Sequence, residues 1–186
     1  MNWKVTSEPA AEPMTLSEAK TWLKIDSDTT EDALVTSLIV SARQTAESFC
    51  NRAFITQTIA QSFDTLSEFN LVRSPVQSIT SITYLDANGT SQTLSTDVYE
   101  LNTYSYPNSI RLKHNQVFPS TSDVIGNVIV TYVAGYGDAS TDIPNLIIDA
   151  CKVIVRDYYK NRDNPTRKFP TLAENMLRAY KIHQIV

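Results

Sequence analysis

At 186 residues, with 42% hydrophobic residues and a net charge of −4, the chain is sized for one core, or one core with arms. No apolar run approaches the ~20 residues that cross a bilayer, and the opening MNWKVTSEPAAEP lacks the apolar segment of a secretory signal. Residues 1–151 hold 8 Lys+Arg against 17 Asp+Glu and residues 152–186 hold 8 against 3, so an acidic body excludes general nucleic-acid affinity while the basic end suits phosphate, an acidic protein surface or plain water.

Residues 1–14, with Pro9 and Pro13, read as an extended arm. Thr15-Leu16-Ser17-Glu18 fits a capping box, so a short helix is predicted from about residue 16 to 24, with Leu16, Ala19, Trp22 and Leu23 as its apolar side. Residues 26–29 form a polar turn, and Thr29 or Thr30 is expected to cap a long helix over 30–50. On a helical wheel Leu34, Val35, Leu38, Ile39, Ala42, Ala46, Phe49 and Cys50 share one face, which places Leu38 in the core. The opposite face holds Thr36, Ser37, Val40, Ser41, Gln44 and Ser48, with Arg43 and Glu47 as its only charges. Such a back suits close approach by another protein surface, and it is equally the composition of a serine-rich solvated face.

Strand chemistry follows over 54–63 and 76–85. Asn88-Gly89 signals a hairpin with a type I′ turn, returning over 92–94, and the spacing of Ile79, Ile82 and Tyr84 points to a bulge. Residues 99–101 and 110–112 can pair, and 128–132 is the clearest central strand, ended by Gly135-Tyr136-Gly137. Pro144 suits the first turn of a helix whose apolar residues, from Leu146 to Tyr159, leave only Asn145, Asp149, Lys152, Arg156 and Lys160 as a polar stripe. That helix is expected at the centre of the core, packed by the sheet and by the helix over 30–50. Helical spacing returns over 172–180, beyond the core.

The chemistry of catalysis is missing from the pattern. His114 and His183 have no Cys or carboxylate at metal-ligand spacing, and no phosphate loop, nucleophile elbow or Cys pair is present. Asp26, Asp28, Glu31 and Asp32 lack the spacing and glycine of a calcium loop and suit a helix start instead. Cys50 and Cys151 fall on apolar faces and read as buried free thiols. The reading is therefore no catalytic residue, no metal and no cofactor. A site assembled only by the fold is the competing enzyme reading.

Three features point to binding instead. They are the uncharged helix back, the loop aromatics Tyr104 and Tyr106 beside Pro107, and the apolar, basic end of the chain. The aromatics either anchor a partner or fold back on the sheet. The end segment carries Leu172, Met176, Leu177, Tyr180, Ile182 and Ile185, and either lies on another protein or packs on its own domain.

The order of elements resembles a known family. Leu16-Ser17-Glu18-Ala19-Lys20-Thr21-Trp22-Leu23 looks like its opening helix, and Asp32-Ala33-Leu34 through Asn51-Arg52-Ala53-Phe54 its second. Pro75-Val76-Gln77-Ser78-Ile79 with Asp86-Ala87-Asn88-Gly89 looks like its hairpin, and Tyr132 through Gly137, Ile143-Pro144 and Asp157-Tyr158-Tyr159 its closing strand and helix. These resemble the head–tail connector, or adaptor, proteins of tailed bacteriophages over about residues 14–163. With an arm at 1–14 and a C-terminal arm at 164–186 lying outside it, the resemblance implies an α+β subunit whose connector domain spans 15–163. It implies a ring of identical copies, twelve in number, below the portal protein. That ring would extend the DNA channel without sequence-specific binding and receive a neck, stopper or tail-completion protein. The place is the virion neck, reached from the host cytoplasm, with no membrane. Ser37, Ser41, Gln44, Ser48, Tyr104 and Tyr106 are then expected at subunit interfaces, and Leu172, Met176, Leu177, Tyr180, Ile182 and Ile185 at the portal. A tail-completion protein of similar fold is the alternative.

Overall fold

The computed structural model describes residues 2–26, 28–162 and 169–183. Its fold is α+β, with four α-helices and two antiparallel sheets among the described residues. Two compact units share the chain. A sheet unit takes the residues up to Glu8 and Thr56–Gly135, and a helical unit takes Pro9–Ile55 and Tyr136–Ile182.

In chain order the strands of the sheet unit are β1 (Trp3–Ser7), β2 (Gln57–Phe63), β3 (Phe69–Asn70), β4 (Val76–Leu85), β5 (Ser91–Thr93), β6 (Tyr99–Asn102), β7 (Ser109–Leu112) and β8 (Val128–Ala134). The larger sheet runs β1-β2-β8-β4-β5 and the smaller β3-β7-β6. β8 is central because its alternate residues Val128, Val130, Tyr132 and Ala134 are all buried, as period-two patterning requires. Tyr132 pairs with Ile59 on one side and Ile79 on the other. Burial pushes the Tyr132 phenol well above its ordinary pKa, and its oxygen accepts a 3.3 Å hydrogen bond from the Arg73 amide. The expected bulge in β4 falls between Ile79 and Ser81, with a second between Val76 and Ser78. The expected arm carries β1, an edge strand on β2.

The hairpin turn differs from the expected type I′. Only Gly89 has positive φ (77°), so Asn88 does not adopt the mirror-image geometry. Asp86 organises the turn, accepting hydrogen bonds from the amides of Asn88 (2.9 Å) and Thr90 (3.0 Å) through its carboxylate. The Thr90 bond first, then one from the Gln92 side chain at 3.1 Å and the Asn88 bond, hold its carboxyl below the usual carboxylate range.

The helical unit contains α1 (Leu16–Leu23), α2 (Asp32–Cys50), α3 (Asn145–Lys160) and α4 (Thr171–Leu177), the last continued by a 3-10 turn at Arg178–Tyr180. The Thr15 capping box forms as expected, with the Thr15 amide donating to Glu18 at 2.7 Å and the Glu18 amide to the Thr15 hydroxyl at 3.2 Å. α2 starts later than expected. The Thr30 amide and hydroxyl are both taken by the Asp28 carboxylate, and Glu31 occupies the cap position. The buried face of α2 centres on Val35, Ile39, Ala42, Ala46 and Cys50, while Leu38 is only half-buried. The core therefore sits one position round from where the wheel centred it. α3 contributes Ile147, Ala150, Cys151, Ile154 and Val155. Both cysteines are buried thiols with no disulfide, and desolvation pushes the Cys151 thiol far up.

α4 corrects the expectation that helical spacing after residue 172 lies beyond the core. Ala173 and Leu177 are fully buried in the same cluster as α2 and α3, and α4 packs against α3.

Gly137 closes the strand-ending turn. A Cβ there would meet the Asp142 side chain at 2.2 Å, and that carboxylate accepts the Ala139 amide at 3.0 Å. Gly137→Ala is expected to cost about 1–3 kcal/mol, because the contact reaches back to the Asp142 Cβ and cannot be relieved by rotating the carboxylate alone. Urea unfolding checks this. A loss below a few tenths would show that the turn yields.

Candidate assembly surfaces

The back of α2 is more uniform than the sequence suggested. Ser37, Ser41, Gln44 and Ser48 are all exposed. Arg43 and Glu47, expected among them, are buried at 3% and 5% exposure. Arg43 Nε donates to Glu12 at 2.9 Å and Nη1 to Glu47 at 3.0 Å, and the other Glu47 oxygen accepts the buried Phe54 amide at 2.7 Å. Burial alone would lower the Arg43 pKa, but the Glu12 hydrogen bond and the Glu47 charge outweigh it and the net shift is upward. Residues 9–14 thus dock on the Arg43 side of α2 and place Met14 in the core. What stays exposed on the back is small and uncharged.

The loop between β6 and β7 carries Tyr104 at 100% exposure and Tyr106 at 53%. Its geometry is held from below by Asn108, which is buried. The Asn108 side-chain oxygen accepts the Val76 amide at 2.8 Å, its side-chain nitrogen donates to the Ser105 carbonyl at 3.1 Å, and its amide donates to the Ser74 hydroxyl at 3.1 Å. The Tyr104 amide donates to the Asn102 side chain at 3.1 Å. The Tyr104 ring does not fold back on the sheet. A fixed backbone presents it outward, which lowers the entropy lost when such a ring docks.

The end segment divides. Leu177 and Ile182 are buried in the helical unit, Met176 and Tyr180 pack against its core, and Leu172 is 56% exposed. Ile185 lies outside the described residues. The Ile182 amide donates to the Cys50 carbonyl at 2.9 Å, and Arg52 Nε donates to the Tyr180 carbonyl at 2.6 Å. Phe49 stacks on Phe169 with centroids 5.1 Å apart.

One feature escaped the sequence reading. A groove of ≈ 750 Å³ opens between α1 and α3 and is lined by Trp22, Lys24, Lys152, Arg156, Tyr159 and Lys160. The cations of α3 were legible as a polar stripe. That Trp22 and Lys24 face them across a groove depends on α1 packing beside α3, which no local pattern announces. Tyr159 is anchored by a short hydrogen bond from its hydroxyl to Glu31, and Arg162 stacks over its ring at 4.9 Å. The Tyr159 hydrogen bond first, and then Arg162, hold the Glu31 carboxyl below its ordinary range.

Among the described residues no three His, Cys, Asp or Glu side chains gather as a metal site. Among the same residues no helix is long and apolar enough to cross a membrane.

Comparison with known proteins bears on the fold and the family. The chain is similar to a solved structure described as the neck of an empty gene transfer agent (GTA) particle computed with C6 symmetry, at a TM-score of 0.83 and 16% identity, covering 100% of this chain and 98% of that one. It is similar to a chain of the native GTA virion (TM-score 0.80, 16% identity, 100% and 98% covered) and of the native GTA neck computed with C12 symmetry (0.73, 16%, 98% and 97%). At this identity the likeness carries the fold. Comparison with curated proteins gives no match. The sequence profile described as "Head completion protein" matches residues 12–182, nearly the whole chain, and the protein belongs to the head completion protein family.

Proposed function

We propose that the protein is a structural, non-enzymatic component of the neck that joins head and tail in a phage-like particle. The observation that carries this reading is the correspondence of fold, over essentially the full length of both chains, with a particle neck subunit, joined to membership of the head completion family. Twelve copies close into a ring below the portal protein, and DNA passes through. The C6 and C12 symmetries of the related necks favour that number. Copies meet through heterologous contacts, which close when the rotation between subunits divides a full turn. The uncharged back of α2, with Ser37, Ser41, Gln44 and Ser48, and the outward Tyr104 and Tyr106 form the subunit boundary. Residues 9–14 occupy the other side of α2, so the back is left for a sister copy. On the end segment the exposed Leu172, flanked by Met176 and Tyr180, faces the portal. The acidic body lets DNA slide without adhering. The protein resides in the virion neck after assembly in the host cytoplasm.

Electron microscopy of the purified protein, alone and with portal, tests the reading. Rings of twelve are expected, and a chain that stays monomeric even with portal would reject the ring. Ser41→Glu should abolish rings while changing monomer stability by less than about 0.5 kcal/mol, because Ser41 is exposed. Normal rings in that variant would remove the back of α2 from the interface.

A further inference from the structure

We propose that the groove between α1 and α3 receives an acidic peptide segment of a neighbouring neck protein, one carrying an apolar side chain beside its carboxylates. That the partner belongs to a neck rests on the reading above. The chemistry of its docking segment rests on the groove. Lys152, Arg156 and Lys160 are spaced i, i+4, i+8 on α3, so their charges rise in a row about 6 Å apart. Lys24 faces them from the C-cap of α1, held there by left-handed backbone (φ 63°) and by hydrogen bonds from its amide to Lys20 and Thr21. Among the described residues Lys152 is the one of these four cations in a salt bridge, with Asp149 at 3.1 Å. Cations concentrated on a molecule of net charge −4 make a local positive region that focuses the field for an anionic segment.

The groove also has an apolar wall. Trp22 is 45% exposed against it and Tyr159 is locked in its wall. Large exposed indole surface beside cations suits a side chain inserted between carboxylates. A phosphate backbone fits less well. The Glu18 carboxylate is fixed in the lining by the Thr15 amide and hydroxyl (2.7 and 2.9 Å), and would stand against every passing phosphate. A peptide can place an amide donor there instead.

The test uses the full chain and a fluorescein-labelled peptide of Glu and Gly with one central Leu. The controls are the same peptide with Gln for Glu and a short duplex DNA. Expected are a rise in anisotropy with the Glu peptide alone and a shift of protein tryptophan emission that Trp22→Phe removes. Affinity should fall roughly tenfold or more in Arg156→Glu/Lys160→Glu, with circular dichroism unchanged, and should weaken with salt. Overturning results are no binding by the wild-type chain, equal binding of the Gln peptide, tighter binding of duplex DNA, or undiminished affinity in a folded double variant. Peptide binding is read without rings. Rings without peptide binding therefore reject the groove alone, and peptide binding without rings or portal attachment rejects the neck reading alone.

Discussion

Glu47→Ala is expected to destabilise the protein by about 3–5 kcal/mol, the loss seen when one partner of a buried ion pair is removed. Glu47 is the junction of a buried network. One oxygen accepts from Arg43 at 3.0 Å and the other from the Phe54 amide at 2.7 Å, and all three groups are shut off from water. Alanine leaves a buried guanidinium with one carboxylate fewer and strips a backbone donor of its acceptor, which alone costs about 1–3 kcal/mol. Arg43→Met should be damaging too, because it leaves the Glu47 charge buried. Glu12, a quarter exposed, can turn to water. The informative variant is Arg43→Met/Glu47→Gln. It removes both charges and keeps an acceptor for Phe54, so it should be less destabilised than Arg43→Met alone. Urea unfolding followed by helical circular dichroism reads the series. A cost below 1 kcal/mol for Glu47→Ala would mean that water reaches the network and that the two charges belong to the solvated back of α2.

The misplacement of those two residues shows where sequence reading stops. A wheel sorts α2 by hydrophobicity, and it placed Val35, Ile39, Ala42, Ala46 and Cys50 correctly because their burial and their chemistry agree. Arg43 and Glu47 lie at i+4 and i+8 from Ile39 and so border the buried face, but the groups that satisfy their charges there lie outside the helix. Glu12 lies 31 residues earlier in the chain, and the Phe54 amide belongs to the segment after α2. Strands were easier. Val128, Val130 and Tyr132 alternate with half-exposed neighbours, and period two is fixed by the backbone itself. Turn residues told less, since Asn88-Gly89 signals a reversal but Asp86 decides its type. For the candidate surfaces the composition of the α2 back was legible, because exposure follows from the helix face, whereas the loop tyrosines could equally have folded back on the sheet and only the loop geometry set by Asn108 decides their outward pose. The groove was legible only on its α3 side.

The end segment was legible as apolar and partner-seeking, and the structure supplies a partner for part of it about 130 residues back along the chain. Leu177→Ala is expected to cost about 2–5 kcal/mol, the range for truncating a fully buried leucine whose surroundings relax only in part. Leu177 has no exposure, lies in the cluster that joins α2, α3 and α4, and its carbonyl accepts the Cys50 thiol at 3.7 Å. The segment beyond it is tied down by the Ile182 amide on Cys50, by Asn51 donating to the Ile182 carbonyl at 2.9 Å and by Arg52 on Tyr180. Leu172→Ser, on the exposed start of the same short helix, should change stability by less than about 0.5 kcal/mol. The contrast separates folding from docking. Deleting everything from residue 172 removes Leu177 with Leu172, so the helical unit should lose its packing and any loss of portal attachment would be uninterpretable. Leu172→Ser keeps the core, so reduced portal binding in that variant reports the surface alone. Equal stabilities for Leu177→Ala and Leu172→Ser in thermal unfolding would show that α4 lies on the unit without helping to hold it together.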